Sequence, residues 1–218
     1  MKPAVPIIML DGRIADLDAF RAEDVDFGEV AATLSKVARF NGRHHGPAFS
    51  VAQHCVMGAD ALFRETGDQI LAGYFLLHDA HEWVLGDINR PVGVRLDSIL
   101  QTILAEACYT SDVARGLGRR AIERAKSDLD RVIHAAAKLP AIARMPSYER
   151  QVAEMDDRMC HAEARVLYAR ATEIPLVRCD LPAPKLVGGL RAWGAMKAEE
   201  AYIDRLERYL GIVVARIA

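Results

Sequence analysis

Three short stretches of this sequence hold residues able to do hydrolytic chemistry. In LAGYFLLHDAHEWVLG, His78, Asp79 and Glu82 interrupt a segment that is otherwise apolar nearly all round. Burying such ionisable groups costs several kcal/mol unless they are paired or bound to metal. On a continuous helix His78 and Glu82, four residues apart, share a face, and Asp79 sits ~100° around the axis. They read as metal ligands or catalytic groups, or alternatively as an internal hydrogen-bond network or a water-filled seam. His54 lies ~70° from the stripe Val51, Cys55, Gly58, Leu62, at its border. Asp156 borders the stripe Val152, Met155, Met159, Ala162, Val166 at ~80°, whereas Asp157 falls almost opposite it. Asp156 is therefore the better inward-facing candidate of the pair.

These groups need rigid elements to position them. Asp11-Gly12 between PIIML and RIADL is a hairpin signal, because glycine accepts positive φ. From Phe27 the pattern turns helical, with Val30, Leu34, Val37 and Ala38 on one face and Asn41-Gly42 as the stop. A second helix starts near Val51. A third runs from about Asp68 to Gly86, followed by DINRP as a polar turn. Further helices are expected at about 96–115, 119–137, 147–170 and 194–212, with IPLVRCDLPAP (174–184) as an extended strap. The expected architecture is all-α: a single compact helical domain over 1–218. It comprises a hairpin in 1–20, a core in 27–170, and a strap with a C-terminal helix in 174–218.

Composition narrows the functional classes. The chain has 218 residues, 51% hydrophobic and 27% charged, enough to bury a core. Lys+Arg 28 against Asp+Glu 30 leaves a net charge of -2, which disfavours an extended nucleic-acid surface. No apolar run reaches the ~18 residues of a spanning helix. Cys55, Cys108, Cys160 and Cys179 lie far apart, which argues against disulfides and a thiolate zinc knuckle. A cytoplasmic location without membrane attachment is the expectation.

The order His…His-Asp…Asp, carried in RFNGR…FSVAQH, LLHDAHEWVLGDINRPV and AEMDDRMCHAEARVL, resembles the HD-domain metal-dependent phosphohydrolases. Within them it is most similar to the small bacterial deoxynucleoside 5′-monophosphatase type, prophage-like branch. That branch shares the N-terminal hairpin and a late tryptophan motif, here Arg191-Ala-Trp193. The resemblance implies an HD-type helical bundle with His54, His78, Asp79 and Asp156 as metal ligands and Glu82 as the catalytic acidic residue. It implies Asp87 on the sugar 3′-hydroxyl and Arg39 on phosphate. Phe40 stands where the nucleotidase has tryptophan, so sugar preference is open, and Arg90 is an added cation in the turn. A homodimer is a further expectation of the resemblance.

Phosphate-ester hydrolysis requires an activated water, charge neutralisation and a proton for the leaving oxygen. One divalent ion held by two imidazoles and two carboxylates supplies the first two; Mn, Co, Ni, Fe, Zn and Mg are the candidates. Glu82 would orient the water or protonate the leaving oxygen. Arg39 offers a planar fork for phosphate oxygens. Arg43 and Arg90, with His44 and His45, are secondary substrate candidates. His81 is expected to be structural or partly exposed, and His134 and His161 carry no partner signal. The leading expectation is hydrolysis of a small nucleotide, most simply a deoxynucleoside 5′-monophosphate. The alternatives are a deoxynucleoside triphosphate phosphohydrolase and a non-catalytic, metal-stabilised nucleotide sensor. A cyclic-dinucleotide phosphodiesterase is set aside, since Gly73-Tyr74 is followed by phenylalanine rather than proline.

Overall fold

The computed structural model describes residues 4–107, 115–168, 178 and 180–214. Two short strands, β1 (Pro6–Ile8) and β2 (Ile14–Asp16), pair antiparallel with Ile7 opposite Ala15. Gly12 turns the chain between them at φ 85°. Among the described residues, everything after the hairpin is helix and loop apart from one isolated bridge, so the all-α expectation holds.

Helix α1 (Phe27–Leu34) starts at Asp26, whose carboxylate accepts from Gly28 N and Glu29 N. It ends at Leu34, well before Asn41-Gly42. Ala38 instead bridges Ser50 in extended backbone, and Arg39–Gly42 forms a separate tight turn. Helix α2 (Val51–Thr66) is capped by the Ser50 hydroxyl and closed by Gly67 in the left-handed region. Its stripe Val51, Cys55 and Leu62 is buried as the spacing predicts. Asp68 then caps α3 (Gln69–Leu77) by accepting from Leu71 N.

The expected single helix from Asp68 to Gly86 is two helices. After Leu77 the backbone bonds tighten to three-residue spacing, Ala80 N to Leu77 O and Glu82 N to Asp79 O, both 3.0 Å. A short α4 (Glu82–Leu85) follows and stops at Gly86. Nor is DINRP only a turn: α5 (Arg90–Glu106) starts inside it, with Asn89 as cap and Pro91 in the first turn. Helices α6 (Leu117–Ala136), α7 (Pro146–Leu167) and α8 (Ala195–Leu210) complete the described elements. The expected ends of the helices at 96–115 and 147–170 lie partly outside the described residues. So do most of the 174–184 strap, Cys108 and Cys179.

One core joins these elements. The side chains of α2 and α3 interlock with each other and with Tyr202, Leu206 and Tyr209 of α8. The approach is close at Gly58, where an added Cβ would lie 2.1 Å from the Phe75 ring. On α7, Val152, Met155 and Met159 face this core, whereas Val166 is exposed. Trp193 is clipped onto α2: its N–H donates to Gln53 Oε1, and Gln53 Nε2 donates to Arg191 O, both at 2.8 Å. The late tryptophan segment thus covers the helix that carries His54. Among the described residues, no helix is long and apolar enough to cross a membrane.

Candidate metal centre

His54, His78, Asp79 and Asp156 each offer a ligand atom, and these atoms all lie within 4.8 Å of one another. Three local devices supply them. The α2–α3 interlock buries His54 completely. His78 and Asp79 stand on the tightened turn after α3. Asp156 comes from the third turn of α7, next to the core-facing Met155. Because the helix breaks at His78, the expected shared face of His78 and Glu82 does not exist. Glu82 falls instead into a second group with Asp79 and His81.

Hydrogen bonds fix the ring orientations. His78 Nδ1 lies 2.6 Å from Phe75 O. A carbonyl only accepts, so Nδ1 bears the hydrogen and Nε2 turns to the cluster. His54 Nδ1 lies 2.6 Å from Glu163 Oε1, which leaves its Nε2 facing inward as well. The two Nε2 atoms stand 3.4 Å apart, with Asp156 Oδ1 3.4 Å from His54 and Asp79 Oδ2 3.2 Å from His78. Two imidazole lone pairs and two carboxylates directed at one point call for a cation. In the metal-free chain a proton on His78 answers that call. Burial alone would lower its pKa, but Asp79 and Asp156 hold it well above the usual histidine value. Burial would likewise raise the two aspartates, yet His78 pulls Asp79, and both imidazoles pull Asp156, well below the ordinary range. The donor set fits a divalent ion of mixed nitrogen and oxygen preference.

Glu163, which the sequence reading did not single out, ties the centre together. It is fully buried, and its second oxygen accepts from Arg39 Nε at 2.8 Å. Arg39 also reaches Asp79 Oδ2 at 3.3 Å and Asp156 Oδ1 at 3.9 Å. A signal was present: Asp156 and Glu163 are seven residues apart and so share a helical face. Arg39 is aimed by the tight turn, in which Phe40 and Asn41 adopt φ 56° and 54°. Left-handed backbone costs about 1–2 kcal/mol at a residue with a Cβ. Asn89 Nδ2 donates to Asn41 Oδ1 and braces the turn against the start of α5.

The remaining candidates fall around this centre. Glu82 is 4% exposed, and burial, with Asp79 and Asp87 nearby, pushes its carboxyl up to about 9. Burial also raises Asp87, which feels the charges of Arg39 and Asp79. Phe40 packs edge-on against Tyr168 with ring centroids 5.7 Å apart, and the Arg43 charge acts on the same tyrosine. Both therefore sit beside the end of α7 rather than among the ligands. Arg90 pairs with Asp156 Oδ2 at 2.9 Å and Asp157 Oδ1 at 2.6 Å. Asp157, placed opposite the core by periodicity, is buried because Arg90 and Arg178 cover it. His81 too is buried, not partly exposed.

No family model matches the chain. A stretch of it is 41% identical over 90 residues to an uncharacterized protein of Rhodobacter capsulatus; the match covers 38% of this chain and 44% of that protein. The chain thus spans less than half of that curated relative, whose description names no activity.

Proposed function

We propose that the protein is a metal-dependent phosphohydrolase acting on a small nucleotide, most simply a deoxynucleoside 5′-monophosphate. The observation that carries the reading is the convergence of His54, His78, Asp79 and Asp156 beside the Arg39 guanidinium. In that arrangement the four side chains hold one divalent ion, which when bound supplies an activated water and neutralises phosphoryl charge. Glu163 keeps His54 Nε2 available as a ligand and holds Arg39 in place. Arg39, adjacent to both ligand carboxylates, is positioned to pair with phosphate oxygens. The neutral Glu82 carboxyl has a proton to give a leaving oxygen near neutral pH. On this reading Asp87 takes the sugar 3′-hydroxyl, with Phe40, Arg43 and Arg90 as the further substrate contacts. The HD-domain resemblance agrees with these roles.

The triphosphate alternative is favoured by Arg90, which brings a cation to within 2.9 Å of Asp156, and the sensor alternative differs from both by turnover. A phosphate-release panel of deoxynucleoside mono- and triphosphates, with and without chelator, separates them. Orthophosphate from monophosphates that stops with chelator supports the proposal. Tripolyphosphate from triphosphates supports the alternative. Metal binding with no hydrolysis of either sinks both in favour of a sensor. Sedimentation velocity tests the expected homodimer.

A further inference from the structure

The turn that carries His78 and Asp79 leaves two buried polar atoms without a partner, His81 Nε2 and Glu82 Oε2. Both residues are 4% exposed. His81 Nδ1 lies 2.8 Å from Asp130 Oδ1 on α6. A carboxylate only accepts, so Nδ1 bears the hydrogen and Nε2 presents a lone pair. A buried acceptor left unsatisfied costs about 1–3 kcal/mol, and here two of them occur on adjacent residues. His81, Glu82 and Asp79 offer ligand atoms within 4.8 Å of one another. Asp79 directs Oδ2 at His78 and Arg39, and its carboxylate is at the same time within reach of His81 and Glu82.

We propose that Asp79, His81 and Glu82 form a second divalent-cation site that shares the Asp79 carboxylate with the first. One imidazole and two carboxylates make a nitrogen–oxygen set of the kind Mn, Co or Zn accepts, with water completing the shell. Asp130 does for His81 what Glu163 does for His54: it holds the far ring nitrogen and turns the near one inward. Lys126 contributes positive charge near Glu82 and Asp87, yet Glu82 Oε2 stays unpartnered. This inference rests on Asp79 being a ligand of the first ion and deepens the phosphohydrolase reading. Two ions sharing a carboxylate can stabilise both the attacking and the leaving oxygen. With this second ion bound Glu82 gives up its proton and is a ligand; in the singly loaded centre it keeps the proton and the donor role given above.

The test is a Mn2+ titration of the metal-free full chain by equilibrium dialysis, with electron paramagnetic resonance of the loaded protein. Wild type is expected to bind two equivalents with an exchange-coupled signal. His81→Ala and His81→Asn are expected to bind one, without coupling. Asparagine retains an amide N–H for Asp130, so that variant keeps the buried contact if alanine disrupts folding. Saturation of wild type at one equivalent, or two equivalents in a folded His81 variant, overturns the proposal. The paramagnetic signal of wild type decides the matter even if neither variant folds. Chelator-sensitive hydrolysis with one ion keeps the phosphohydrolase reading and discards this one. Two coupled ions with no nucleotide hydrolysed do the reverse.

Discussion

Replacing Glu163 by glutamine isolates the residue on which the centre depends without touching a metal ligand. In the native structure both carboxylate oxygens accept, one from His54 Nδ1 and one from Arg39 Nε. Glutamine has one oxygen and one NH2 group, so it can serve only one of these donors. If the oxygen stays with Arg39, the NH2 group donates to His54 Nδ1, the hydrogen moves to Nε2, and the ring can no longer ligate. If the oxygen stays with His54, Arg39 Nε is buried against a donor. Loss of such an outer partner weakens metal binding about 10- to 100-fold, or about 1.4–2.7 kcal/mol. Breaking a buried ion pair costs about 3–5 kcal/mol of stability; the lower end is expected, because Asp79 and Asp156 still face Arg39. Competition with a fluorescent chelator measures the first quantity and urea unfolding of the metal-free chain the second. Metal affinity within twofold of wild type, together with unchanged stability, would refute the reasoning.

Other outcomes follow from the same geometry. Glu82→Gln should lower nucleotide hydrolysis by about 10²- to 10⁴-fold while the four-ligand site still binds its ion; phosphate release and metal content check this. Because folding raises the Glu82 carboxyl to about 9, the folded state holds a proton there that the unfolded chain releases above its ordinary carboxylate pKa. That raised value makes stability fall as pH rises towards 9, so thermal melts of the metal-free chain should drop less between pH 6 and 8.5 in Glu82→Gln than in wild type. Asp79 and Asp156 act in the opposite direction: their depressed values add stability above the ordinary carboxylate range that is lost on acidification. Gly58→Ala drives a Cβ into the Phe75 ring, and overpacking of this kind costs about 1–3 kcal/mol. Phe75 also packs against His78, with ring centroids 4.3 Å apart, so both the melting temperature and the metal affinity should fall.

The hairpin and most helices were legible because apolar periodicity and turn signals such as Asp11-Gly12 are local, whereas the start of the helix at Arg90 was not, since DINRP carries the residues of a polar turn. The four candidate ligands were legible for a related reason: ionisable residues in or beside apolar stripes stand out against the cost of burying them. The break at His78–His81 was not, since a helix and a tightened turn of four residues carry the same apolar pattern. That difference decides which groups meet, and it moved Glu82 from the side of His78 to that of His81. Asp157 was misplaced because its burial depends on Arg90, 67 residues away, a pairing no helical wheel contains. Glu163 reads as an ordinary helical glutamate until Arg39 and His54 are brought to it across more than a hundred residues.

The central claim is that His54, His78, Asp79 and Asp156 together hold a divalent ion. Metal content after equilibration with Mn2+ and gel filtration, compared between wild type and Asp156→Ala, tests it most directly. The account predicts a bound equivalent in wild type that Asp156→Ala loses while remaining folded. Full occupancy in Asp156→Ala would contradict it and move the ligand elsewhere, with the neighbouring Asp157 the first residue to examine.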